Sequence, residues 1–189
     1  MSKKVAILYG VLGGTLRSRR FRQELRLAGY SVVSKVSDAD IVIAHSAGNF
    51  SLPQVMAGKK LLLIDPPYWP EKTVRERMRN RMRRHTQSHQ LYGYSRWYVI
   101  KFNLVSWFYM LTNPLRQWRI YKYAHVFNLP DVLHDQQGIL VRNEDDDWLT
   151  PEAHVILHEN PNIKLVTMPN DHDHLWYNPR PYVELLKQL

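Results

Sequence analysis

Ile41-Val42-Ile43-Ala44-His45-Ser46-Ala47-Gly48 is an apolar run that stops abruptly in a small–x–Ser–x–Gly turn. A continuous stretch of branched aliphatic residues reads as a strand buried on both faces, the pattern of a parallel sheet. A serine directly after such a strand, with a small residue two before it and another two after it, fits a sharp strand-to-helix turn. Such a turn pushes the hydroxyl up and out of the sheet. Ala44 and Gly48 meet the requirement for small neighbours.

Working outward, the same continuous apolar pattern recurs at residues 5–9, 31–36, 60–65, 138–143 and 163–168. Residues 16–27, 51–58, 151–158 and 182–189 read as helices. Strands alternating with helices predict an α/β fold, a mostly parallel six-stranded sheet with helices on both faces. One stretch breaks the alternation. Residues 71–133 carry Trp97, Tyr98, Trp107, Phe108, Tyr109, Trp118, Tyr121 and Tyr123 without a strand–helix unit. They read as a helical, basic and aromatic cap inserted into a core formed by residues 1–70 and 134–189.

Three further signals each follow a predicted strand. Tyr9-Gly10-Val11-Leu12-Gly13-Gly14 is a glycine-rich turn whose backbone N–H groups can point into a cleft. It lacks the G-x-G-x-x-G spacing of dinucleotide sites and the Gly-Lys-Ser/Thr of a phosphate loop. Asn143-Glu144-Asp145-Asp146-Asp147-Trp148-Leu149-Thr150-Pro151 delivers four acids at the carboxyl end of a strand. Pro169-Asn170-Asp171-His172-Asp173-His174 delivers two histidines past the last strand. His172, Asp173 and His174 also have a density of donors that a metal can use, yet no other ligand cluster accompanies them.

In this order (glycine loop, serine elbow, acid, histidine, each after a successive strand) the chain resembles the α/β-hydrolase family, outside the insertion and without the two strands that open larger members. Asn143 to Pro151 is similar to the family's acid turn, and counting from its two ends leaves Asp146 and Asp147 both open as the acid. A proline follows the family's catalytic histidine by seven residues, and His172 with Pro179 satisfies that spacing. The resemblance implies Ser46 as nucleophile, His172 as general base, and the N–H groups of Val11 and Ala47 as oxyanion donors. It also implies a substrate crevice near Gly10, Leu12, His45 and Trp107, a carboxylic ester, thioester or amide as substrate, and no metal or organic cofactor.

Composition narrows the class. With 189 residues, 44% of them hydrophobic, one compact domain is expected. Cysteine is absent, which excludes disulfides and thiolate metal sites. The N-terminal apolar run is too short for a signal peptide and no stretch of about 20 apolar residues exists, so a cytoplasmic protein is expected. The net charge of +9 points to an anionic partner. Arg75, Arg77, Arg79, Arg81, Arg83 and Arg84 fall within ten residues, and Val74, Met78 and Met82 give that segment a narrow apolar face. The second reading is therefore a non-catalytic protein of the same fold whose arginine segment binds nucleic acid or another anionic partner. Contact with a membrane surface is left open.

Overall fold

The structure, a computed structural model, describes residues 2–10, 14, 16–54, 58–68, 95–115, 118, 122, 124, 127–146, 149 and 160–189. Along the chain run β1 (Lys4–Leu8), α1 (Arg19–Leu27), β2 (Ser31–Val33), β3 (Ile41–His45), β4 (Lys60–Ile64), α2 (Arg96–Thr112) and α3 (Leu129–Leu133). Then come β5 (Gln137–Asn143), β6 (Ile163–Met168), α4 (His174–Tyr177) and α5 (Arg180–Leu185). The six strands form one sheet in the order β2-β1-β3-β4-β5-β6, with every pair parallel.

Side chains alternate across this sheet, which explains why its strands read as unbroken apolar runs. Val5, Ile7, Ile41, Ile43, Leu62, Ile64, Ile139 and Val141 face one layer, where they meet Phe21 and Leu25 of α1 and Trp176, Tyr182 and Val183 of α4 and α5. Val42, Ala44, Leu61, Leu63 and Leu140 face the other, against Leu52, Leu129, Leu133 and Leu149. Burying both faces removes the apolar area of nearly every core strand residue from water, at roughly 25 cal/mol per Å².

The local differences from the sequence reading have plain causes. The second strand is only three residues long, because the chain turns into a 3-10 segment at Val36–Asp38. The helix expected over 51–58 is instead a 3-10 segment spanning Ser46–Gln54; Pro53, which lacks a backbone donor, lies within it. The helix expected over 151–158 and the arginines from Arg75 to Arg84 lie outside the described residues.

The topology places the site. The chain passes from β1 out to β2, then returns across β1 to β3, so the direction of winding reverses between β1 and β3. That reversal opens a crevice at the carboxyl ends of the two strands, where Leu8 pairs with Ala44. Gly48 is packed so tightly there that a Cβ on it would lie 2.3 Å from the carbonyl oxygen of Leu8. Backbone cannot swing aside as a side chain can. Gly48→Ala is therefore expected to cost about 3 kcal/mol or more. For a chain of this size that lowers the melting temperature by roughly 6–12 °C, measurable by thermal unfolding.

Candidate active site

Ser46 stands at the end of β3 with φ +54, in the left-handed region. A residue with a Cβ enters that region only at a cost of order 1–3 kcal/mol, and such residues cluster at functional sites. The turn is held by Asn49, whose Nδ2 donates to the Ser46 carbonyl oxygen at 2.7 Å. Gly10, from the loop after β1, crosses directly over the serine: a Cβ there would lie 3.0 Å from Ser46 Cβ and 3.3 Å from Ser46 Oγ. Ala47 is buried beside Phe50. Val11 and Leu12 lie outside the described residues.

His172 enters from the loop after β6 and is buried. Its Nδ1 lies 2.9 Å from Asp146 Oδ1, and Asp146 is itself buried in the turn after β5. Of the two acids left open by the sequence, Asp146 therefore meets the histidine, while Asp147 lies outside the described residues. The histidine loop is tied down on its far side as well. Arg17 makes a buried ion pair of 2.7 Å with Asp173, and Arg20 Nη1 donates to the Tyr177 carbonyl oxygen at 2.7 Å. These contacts give a role to two of the arginines that run into the start of α1. Losing either member of a buried pair would leave a charge without compensation.

His45, expected at the substrate, lies between the serine turn and the histidine loop. The ring is buried, and Nε2–H donates to the His172 backbone carbonyl at 2.8 Å. It also packs 4.6 Å from the His172 ring and 5.0 Å from that of Trp176. Burial, with His172 as the next cause, pushes its pKa well below the ordinary histidine value, so His45 is neutral and acts as a strut between the serine turn and the histidine loop. Trp107 stands on α2 with its side chain exposed rather than within this buried cluster. Asp173 and His174 do not converge with His172 on a common point: Asp173 turns to Arg17, and the His174 ring lies 6.4 Å from that of Tyr182.

The sequence reading missed Asp65. It follows β4, is fully buried and has φ +45, so adjacent strands end in two left-handed, non-glycine residues. Its Oδ2 lies 3.7 Å from His172 Nδ1. Asn143 grips it twice, the backbone N–H donating to Oδ1 at 2.8 Å and Nδ2 to Oδ2 at 2.5 Å. Tyr182 in turn donates its hydroxyl to Asn143 Oδ1 at 2.8 Å. The available signal was an acid closing an apolar run at Asp65-Pro66-Pro67, the same signature that marked Asp146. Burial first, and the neighbouring Asp146 second, raise the Asp65 pKa well above the usual carboxylate range.

That shift has a defined sign. A carboxyl group whose pKa is higher folded than unfolded stabilises the fold below its unfolded value, and that contribution is lost as pH rises through the folded value. Asp65→Asn removes the dependence. The stability of wild type minus that of the variant should therefore fall steadily from pH 4 toward neutral and alkaline pH. Urea unfolding at a series of pH values measures this, and a flat difference would show that Asp65 is not perturbed.

His45, Asp65 and His172 each offer a ligand atom, and these atoms lie within 4.8 Å of one another. Two imidazoles and a carboxylate are a donor set zinc accepts. Here the donors already serve other partners: His45 Nε2 the His172 carbonyl, Asp65 both donors of Asn143, and His172 Nδ1 Asp146. The cluster fits a hydrogen-bonded acid–imidazole system better than a metal centre. A cavity of about 400 Å³ lined by Lys60, Gln137, Asn162 and Lys164 lies at the amino ends of β4, β5 and β6, the edge opposite Ser46.

No protein-family model matches the chain, and no curated protein matches it in sequence. Solved structures do match it in shape. An enol-lactonase from Burkholderia xenovorans superposes with a TM-score of 0.66 at 10% identity, covering 100% of this chain and 91% of that one. An N-formylmaleamic acid deformylase from Pseudomonas putida gives 0.62 at 13%, covering 98% and 92%. A methylesterase from Arabidopsis gives 0.58 at 13%, covering 98% of each chain. The chain has the α/β-hydrolase fold.

Proposed function

We propose that the protein is a serine hydrolase that cleaves a carboxylic ester, or a thioester or amide, through an acyl-enzyme on Ser46. The observation that carries this reading is a serine in the left-handed conformation under Gly10, at the same sheet edge as a buried His172–Asp146 pair. His45, the residue just before the serine, hydrogen-bonds the backbone of the histidine and so couples the two loops.

In this mechanism Ser46 Oγ attacks the carbonyl carbon while its proton passes to His172 Nε2. Asp146 accepts the Nδ1–H bond, fixes the tautomer and stabilises the imidazolium. The oxyanion is held by the backbone N–H groups of Ala47 and Val11; losing one such donor typically costs about 10²–10³ in rate. His172 then protonates the leaving alcohol as its bond to the acyl carbon breaks. Water, deprotonated by the same nitrogen, attacks the acyl-enzyme and releases the acid. Asp65, held at both oxygens by Asn143 and with its pKa raised by burial and by Asp146, leaves Asp146 as the carboxylate that faces the imidazole.

The test is covalent labelling. A fluorophosphonate probe should modify the folded protein at Ser46, located by peptide mass spectrometry, and should leave Ser46→Ala unmodified. A wild type that neither reacts nor turns over any ester of a chain-length series would refute the proposal.

A further inference from the structure

The surface of α2 carries a feature that the buried triad does not use. Trp97, Ile100, Leu104, Trp107 and Leu111 follow one another at steps of three and four residues along the helix, and Leu115 continues the series just beyond it. At 3.6 residues per turn the five on the helix fall within an arc of about 80°. All six are between 48% and 80% exposed. Isolated exposed apolar side chains are ordinary, whereas a contiguous stripe of large ones marks an interaction surface.

Charge says what kind of surface it meets. Arg96 and Lys101 are exposed and flank the stripe, one on each side of the arc, and Lys122 is exposed further along. Residues 71–126 hold 12 Lys and Arg against two acids, Glu71 and Glu76, whereas the whole chain holds 26 and 17. The chain's net positive charge is therefore concentrated in the segment that carries the stripe, and the remainder is close to neutral.

Three kinds of partner can be weighed against this pairing of features. A second copy of the chain would bring two strongly positive segments together across the contact, which is repulsive. A nucleic acid suits the cations and can stack on tryptophan, but it offers no apolar bed for Ile100, Leu104, Leu111 and Leu115. An anionic lipid surface suits both. Aliphatic side chains enter the acyl boundary, tryptophans settle at the headgroup level, and flanking Lys and Arg reach the phosphates along their own stems. Among the described residues no helix is long and apolar enough to cross a membrane, so the helix would lie in the surface plane.

We propose that α2 is an interfacial membrane-docking helix that binds anionic phospholipid through the Trp97–Leu111 stripe and its flanking cations. The proposal is independent of the hydrolase reading, since binding is measured without turnover. It also has a structural link to the site. Phe127, downstream of α2, packs its ring 5.1 Å from Phe50 of the serine turn, so the inserted segment returns to the fold beside Ser46.

The experiment is vesicle co-sedimentation of the full chain. Phosphatidylcholine vesicles containing about one third phosphatidylglycerol should bind at least tenfold more strongly than phosphatidylcholine alone. Binding should weaken as salt is raised, and tryptophan emission should shift to the blue. The double variant Leu104→Asp/Leu111→Asp should lose binding about tenfold or more, with its melting temperature unchanged. Arg96→Glu/Lys101→Glu should lose the preference for anionic lipid. Three results would overturn the proposal: no binding to anionic vesicles; binding that survives both double variants; or vesicle-inert protein that instead binds single-stranded RNA, or forms a dimer dispersed by Leu104→Asp/Leu111→Asp.

Discussion

Replacing Ser46 by alanine is expected to lower kcat for a soluble ester by about 10⁴-fold or more, with KM and the melting temperature close to wild type. On the proposed mechanism Ser46 is the nucleophile of a triad whose members act as one unit, so its removal takes away the covalent route altogether. What remains is the attack of water in a site that still binds the acyl group and holds its oxyanion, worth about 10³–10⁴ over the uncatalysed reaction. Alanine relieves no clash and opens little space, because Ser46 Oγ is small. It keeps the Cβ that packs against Gly10 and leaves the backbone contact from Asn49 in place. Initial-rate kinetics with a short-chain ester, together with a thermal melt, separate loss of chemistry from loss of fold. A variant that retains more than a tenth of wild-type kcat would show that Ser46 is not the nucleophile.

Asp146→Asn is expected to lower kcat/KM by about 10³–10⁴. An amide in place of the carboxylate leaves the packing intact, but it no longer stabilises an imidazolium and it permits the wrong tautomer at Nδ1. Asp65 is the natural check. Its Oδ2 lies 3.7 Å from the same nitrogen, against 2.9 Å for Asp146 Oδ1. Both Asp65 oxygens are held by Asn143, so it is not free to swing in. Burial and the neighbouring acid also favour its neutral form. Asp65→Asn should therefore cost only about tenfold, and adding it to Asp146→Asn should cost little more. If the two single variants rank the other way, the acid role belongs to Asp65. Measured kcat/KM for the two single variants and the double variant decides this as a closed cycle.

The two acids show how far sequence carries. Both Asp65 and Asp146 stand at the carboxyl ends of apolar strands. The sequence pointed to the second, with Asp147 equally open, because it sits in a longer acid turn followed by Pro151. It had no means of seeing that β4 and β5 are neighbours in the sheet, which brings both acids to one histidine. Likewise His45, adjacent to the serine in the chain, read as part of the binding crevice. Its burial against His172 and Trp176 depends on where the β6 loop returns, some 127 residues later.

What the sequence determined by itself was the class of fold and which residues stand at the carboxyl ends of its strands. Strands buried on both faces must be apolar throughout, and a sharp turn at Ser46 must have small neighbours. Those local requirements are written directly in residue type. The tertiary structure decided that Asp146 stands beside His172, that Asp65 joins the cluster, that His45 is buried against His172, and that Trp107 is exposed on α2. Each of these depends on distances between residues far apart in the chain, which strand order and packing determine and no local pattern encodes.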